Sequence, residues 1–197
     1  GGTGGHIFPA LEVAKKLQQH GVLVYWIGTK KGMESNIIPR AQIPISYISV
    51  DGIRGKNILT LLAAPFKLVI SLFQALFFII KLKPQFVLGM GGFASGPVGL
   101  AAFLLRKKLI IHEQNSIAGT TNKILAMLAD KVLYAFPDTF KLQKNKSNTF
   151  LKNKYNFIGN PVREAFNNIL VPAARKTADS KNFNILILGG SGGAKTI

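Results

Sequence analysis

Three glycine-rich turns constrain this chain more than any other feature. Gly1-Gly2-Thr3-Gly4-Gly5-His6, Gly89-Met90-Gly91-Gly92-Phe93-Ala94-Ser95-Gly96 and Gly189-Gly190-Ser191-Gly192-Gly193 each stand where a helical pattern is due, the last two directly behind short apolar runs. A strand that hands over to a helix through a turn without side chains lets backbone N–H groups and the positive helix end face an oxygen anion. Around these turns, β-branched runs alternate with helical spacing. Strands are expected at Leu23–Ile27, Ile45–Val50, Phe86–Leu88, Leu109–His112, Val132–Ala135, Asn156–Ile158 and Ile185–Leu188. Helices are expected at Phe8–Gln19 with Gly21 as C-cap, near 66–82, at Pro97–Leu105 and at Thr121–Ala129. Such alternation predicts an α/β fold with a Rossmann-like parallel sheet, whose turns share one edge and whose ligands bind there.

Composition narrows the class. Apolar residues make up 48% of the 197 and charged residues 17%, which excludes a disordered chain. With no cysteine, and histidines only at positions 6, 20 and 112, disulfide scaffolds and thiolate zinc sites are excluded and no metal is expected. Lys and Arg number 25 against 8 acids, a net charge of +17 that favours an anionic partner: nucleic acid, acidic lipid or a phosphorylated substrate. Basic residues interleaved with aromatics are not evident, so nucleic acid is not expected. The first turn lacks a preceding strand, no signal-peptide pattern is visible, and the last turn ends where a helix should start. The chain therefore reads as a fragment: a domain over 1–160 missing its first strand, a linker over 161–182, and over 183–197 the start of a truncated second domain. Thr139 to Tyr155, with five lysines and no acid, reads as an exposed loop.

Two groups carry candidate chemistry. His6 follows two glycines at the entrance to the first helix, where a positive helix end disfavours a second positive charge; a neutral imidazole suits a general base, and a helix-capping histidine is the structural alternative. His112-Glu113-Gln114-Asn115 closes a strand and sets polar side chains beside the same edge, so Glu113 could orient His6 or itself accept a proton. His20, before Gly21, is read as a helix-end histidine without a catalytic role. Gly89, Gly91 and Ala94 also satisfy G-x-G-x-x-G/A, with Glu113 placed for a ribose hydroxyl, so a nicotinamide-dependent oxidoreductase is a competing reading. Gly189 to Thr196 departs from a Walker A loop at Ala194, which discounts an ATPase.

From Leu68 to Ile80 there is no charge, and in the window from Ile58 only Pro65 and Lys67 interrupt. A span takes about 20 apolar residues, so an interfacial helix is expected in place of a crossing one. Lys67, Ser71, Gln74 and Lys81 form a narrow polar stripe; Leu72, Phe73, Leu76, Phe77 and Ile80 form the greasy face, with Lys67 and Lys81 near anionic headgroups. Full burial of the helix, or a non-enzymatic basic module on a membrane surface, are the alternatives.

Taken in order, Gly1-Gly2-Thr3-Gly4-Gly5-His6-Ile7-Phe8-Pro9-Ala10, Leu88-Gly89-Met90-Gly91-Gly92-Phe93, His112-Glu113-Gln114-Asn115, Gly159-Asn160-Pro161-Val162-Arg163 and Gly189-Gly190-Ser191 resemble the N-terminal part of the MurG family, glycosyltransferase family 28. The resemblance implies a two-domain GT-B transferase of peptidoglycan synthesis, peripheral at the cytoplasmic face of the bacterial cell membrane, without cofactor or catalytic metal. It implies inverting transfer of N-acetylglucosamine from UDP-N-acetylglucosamine to the muramyl 4-hydroxyl of lipid I, giving lipid II. It places donor contacts on Thr3, Gly4, Gly5, Asn115, Arg163 and Ser191, the base on His6 with Glu113 as support or rival, and the acceptor diphosphate on Gly2, Gly4, Gly91 and Gly92. Anionic lipid and other cell-wall enzymes are the further partners implied, and negligible turnover is expected from these 197 residues alone. Gly192, where the family often carries a larger residue, and the lysine-rich stretch over 141–154 depart from its pattern.

Overall fold

The computed structural model describes residues 2–52, 58–140, 153–163 and 166, apart from the side chains of 58–62. The chain divides into two units, Gly1–Pro161 and Val162–Ile197. In the first, helices and strands alternate: α1 (Gly4–Gln19), β1 (Trp26–Gly28), α2 (Glu34–Arg40), β2 (Ile45–Tyr47), α3 (Ile58–Leu82), β3 (Phe86–Gly89), α4 (Ser95–Leu104), β4 (Lys108–Glu113), α5 (Thr120–Leu128), β5 (Lys131–Tyr134) and β6 (Tyr155–Phe157). Every strand pair is parallel, as alternation with crossover helices requires.

Among the described residues the strands pair as β1 with β2 and as β3-β4-β5-β6 in sequence order, parallel sheets with helices as the alternation predicts. Each has its own apolar cluster, Ile7, Leu11, Ala14, Ile38 and Ile43 beside the first, and Ile79, Ala101, Leu109, Ile111, Leu125 and Val132 in the second. A cavity of about 640 Å³ is lined by Val22 to Ile27, by the α1 residues Ala10, Val13 and Leu17, and by Phe86 to Gly91. The expected strand over 23–27 begins only at Trp26, where pairing with Ile45 begins; Leu23 before it is exposed. α2 was not foreseen: it is only 7 residues long and contains Pro39.

β4 is the most deeply buried strand, because β3 and β5 flank it and helices cover it. Leu109, Ile111, His112 and Glu113 are each at most 2% exposed. Buried polar groups need partners, so the polar end of this strand dictates much of the surrounding loop structure.

α3 corrects two expectations. It continues through Pro65 as one 25-residue helix, its packing on α4 and the core outweighing the ~3 kcal/mol an interior proline costs. Three of the four residues of the polar stripe turn toward the protein: Lys67 Nζ lies 2.6 Å from Asp51, Ser71 is fully buried, and Gln74 takes the Ser49 N–H at 2.6 Å. Leu72 and Leu76 also pack on the core. Of the membrane-contact residues expected from the sequence, Lys67, Leu72 and Leu76 are therefore engaged by the protein. Phe73, Phe77 and Ile80 are exposed, joined by Phe66 and Ile70, and Lys81 is exposed too. Residues 66, 70, 73, 77 and 80 fall at steps of four and three, one uninterrupted apolar stripe facing outward. Ala63–Leu82 is long and apolar enough to cross a membrane, yet Ser71, Ala75 and Ile79 on its other side are committed to the core.

Candidate active site

The first two glycine turns meet at His6. α1 begins at Gly4, four residues before the sequence suggested, because extended Thr3 already supplies its carbonyl to the His6 N–H at 2.9 Å. His6 thus sits in the first helical turn, half-buried, and lines the cavity together with Gly2, Met90, Gly91 and Ser95. Its ring is held between two glycines. A Cβ on Gly2 would stand 2.8 Å from His6 Cδ2; one on Gly91 would stand 3.3 Å from His6 Cε1 and 3.2 Å from Asn122 Nδ2. Gly91 also has φ +83°, a conformation that side chains resist. Behind it Ser95 Oγ donates to the Gly91 carbonyl at 2.6 Å.

Two helix N-termini therefore converge on one imidazole, those of α1 and α4, and neither carries a side-chain cap. Their first N–H groups have no intrahelical partner, and with the helix dipoles they favour anionic oxygen. The N-terminus of α5 is different: Glu113 Oε2 accepts the N–H of its preceding residue, Gly119, at 3.0 Å.

Glu113 does not touch His6. Both of its oxygens are consumed, Oε1 by the Asn115 N–H at 3.0 Å and Asn115 Nδ2 at 2.8 Å, Oε2 by Gly119 and by Asn122 Nδ2 at 2.9 Å. Burial alone would raise its pKa, but the backbone N–H groups of Asn115 and Gly119 and the side-chain amides of Asn122 and Asn115 outweigh it and hold the carboxyl below its usual range. A buried, saturated carboxylate organises the loop from β4 to α5; neither the orienting role nor the base role expected of it has geometry here. The orienting contact belongs to Gln114, whose Oε1 lies 3.1 Å from His6 Nδ1.

His112 turns away, its Nε2 donating to the Gly159 carbonyl at 3.0 Å. Burial lowers its pKa, against the smaller opposing effects of that carbonyl and of the Glu113 charge. Asn160 Nδ2 then reaches the Gln114 carbonyl at 3.1 Å, so the turn after β6 braces the end of β4. Asn115 is exposed, its Nδ2 spent on Glu113 and its amide oxygen left as an acceptor. Thr3 and Gly5 are exposed and Gly4 buried beside it. Arg163 is exposed in the second unit, while Ser191, the third glycine turn and the lysine-rich stretch over 141–152 lie outside the described residues. Asn122, which bridges Glu113 and the His112 carbonyl, went unforeseen; its signal was only an amide in the first turn of a helix. Among the described residues no group of three or more His, Asp or Glu side chains is gathered to hold an ion.

Residues 1–134 match the glycosyltransferase family 28 N-terminal domain, and the chain belongs to that family. Across all of this chain it is 49% identical to a Nitrosococcus oceani protein and 46% identical to one from Azotobacter vinelandii. Each is named UDP-N-acetylglucosamine–N-acetylmuramyl-(pentapeptide) pyrophosphoryl-undecaprenol N-acetylglucosamine transferase, and the match covers 52% of each. The chain spans about half the length of the curated relatives it matches. The crystal structure of Acinetobacter baumannii MurG superposes with a TM-score of 0.66 at 42% identity, over 83% of this chain and 44% of that one.

Proposed function

We propose that this chain is the acceptor-side part of an inverting transferase that moves N-acetylglucosamine from UDP-N-acetylglucosamine to the muramyl 4-hydroxyl of lipid I, giving lipid II. The observation that carries this is the meeting of two uncapped helix N-termini at His6. Amides around Gly2, Gly4, Gly91 and Gly92 suit the acceptor diphosphate, and an imidazole beside them suits the hydroxyl proton. His6 takes that proton as the hydroxyl oxygen attacks the anomeric carbon; the bond from that carbon to the UDP oxygen breaks with inversion, and UDP leaves. In this reading Thr3, Gly4, Gly5 and Asn115, and separately Arg163 and Ser191, are assigned as donor contacts. The division into a domain over 1–160, a linker over 161–182 and a donor-domain start at 183–197 belongs to the same reading. Glu113 holds the loop that carries Asn115 and is not the base.

The membrane part rests on α3. Its outward stripe of Phe66, Ile70, Phe73, Phe77 and Ile80 lies in the interface of the cytoplasmic leaflet, and the +17 charge favours anionic lipid. A crossing helix would have to strip Ser71, Ala75 and Ile79 from the core, so attachment is peripheral. The dinucleotide reading fares worse, because a ribose-binding Glu113 would need oxygens that already accept four hydrogen bonds.

The test is a hybrid joining this chain to the remainder of the Nitrosococcus oceani relative, given radiolabelled UDP-N-acetylglucosamine and a short-chain lipid I analogue. Labelled disaccharide is expected only when both substrates are present. NADH binding in place of transfer contradicts the proposal.

A further inference from the structure

We propose that Gln114 is a positioning residue that locks His6 in the Nδ1–H tautomer, leaving Nε2 as the nitrogen with a free lone pair. Gln114 is buried, and its two ends face different chemistry. Its Nε2 lies 3.4 Å from the His112 carbonyl oxygen and 3.7 Å from Met90 Sδ. Neither atom can donate, so the NH2 group must point there, and the amide oxygen is the end left for His6 Nδ1 at 3.1 Å. An amide oxygen only accepts, so Nδ1 must donate, and a neutral imidazole has one proton to give. The orientation of one buried amide thus sets the proton position on a ring four strands of sequence away. Free histidine prefers the opposite tautomer, and His112 adopts it, its Nε2–H held by the Gly159 carbonyl.

The clamp is rigid on both sides. Gln114 has its own carbonyl fixed by Asn160 Nδ2, and the ring is wedged between Gly2 and Gly91. For the reaction the consequence is direct: a base must present a bare nitrogen to the hydroxyl, and only Nε2 is bare. That consequence rests on the transferase reading; the tautomer does not, and is measurable without turnover.

The experiment is imidazole 15N NMR on the 197-residue chain above neutral pH, where the three histidines are distinguished by single replacement. His6 is expected as Nδ1–H and His112 as Nε2–H. In Gln114→Leu, His6 should move to Nε2–H while the His112 signal stays, which reports an intact site. The leucine removes the partner of His6 Nδ1 without orphaning the His112 carbonyl, which Asn122 Nδ2 still serves at 3.0 Å. Gln114→Glu, which keeps an acceptor opposite Nδ1, should keep the native tautomer. In the hybrid enzyme, Gln114→Leu should lower kcat about 10²-fold, the lower end of what a general base contributes, with KM for the donor unchanged and partial recovery in Gln114→Glu. His6 found as Nε2–H in the unaltered chain, or unmoved in Gln114→Leu, overturns the inference. A hybrid without transfer but with the expected tautomers would instead count against the transferase reading.

Discussion

Replacing Glu113 by glutamine separates an organising carboxylate from a catalytic one. Glu113 is 1% exposed and accepts four hydrogen bonds of 2.8–3.0 Å, two from backbone and two from side-chain amides. Glutamine offers one accepting oxygen and one NH2 group, so whichever way it turns, one end meets two donors with a third. Two charge-assisted bonds are lost, each worth about 1.5–3 kcal/mol, and burying a neutral amide in place of a charge returns part of that; the net expected is a loss of about 2–4 kcal/mol. For a domain of this size that lowers Tm by about 5–15 °C. Urea denaturation of Glu113→Gln at pH 7, followed by circular dichroism, measures it. The sign with pH follows from the depressed pKa. The native carboxylate stabilises fully above its ordinary value of 4.5 and loses that contribution as pH falls through its lower folded value, so the gap between the two proteins should close in acid. A variant within about 0.5 kcal/mol of the parent, the range of an ordinary surface change, would refute the organising role and return Glu113 to candidacy as the base.

Three other outcomes follow from the same contacts. Gly91→Ala should cost about 1–2 kcal/mol from its left-handed backbone and, by pushing on His6 and Asn122, lower hybrid turnover at least as visibly as stability; equal turnover would show the ring is not positioned there. Phe73→Glu with Phe77→Glu removes two exposed rings worth about 1.5–3 kcal/mol each on burial; co-sedimentation with phosphatidylglycerol vesicles should drop sharply while Tm holds, and unchanged binding contradicts an interfacial α3. His112, whose folded pKa is lowered, binds fewer protons when native than when unfolded. Stability measured by urea midpoint should therefore fall as pH drops below 6.5, and this slope should flatten in His112→Gln.

What the sequence made legible was local. Glycines behind β-branched runs mark the turns because both ends of such a unit are written within a few residues, and His6 is conspicuous between Gly5 and a helix. Contacts made across the fold left no such trace. Glu113 and Gln114 are neighbours in β4 and its exit, yet which of them meets His6 depends on pleat direction and on the approach of α5. Lys67 and Gln74 look like a solvated stripe by composition, and only the positions of Asp51 and Ser49 turn them inward. Pro65 reads as a helix break because the packing that overrides it is tertiary.

Single-turnover transfer in the hybrid enzyme carrying His6→Gln decides whether the imidazole between the two uncapped helix ends takes the acceptor proton. A fall of about 10²–10⁴ in the rate of labelled product formation, with donor binding retained, is predicted. A rate close to that of the unaltered hybrid would show that His6 does not take the proton.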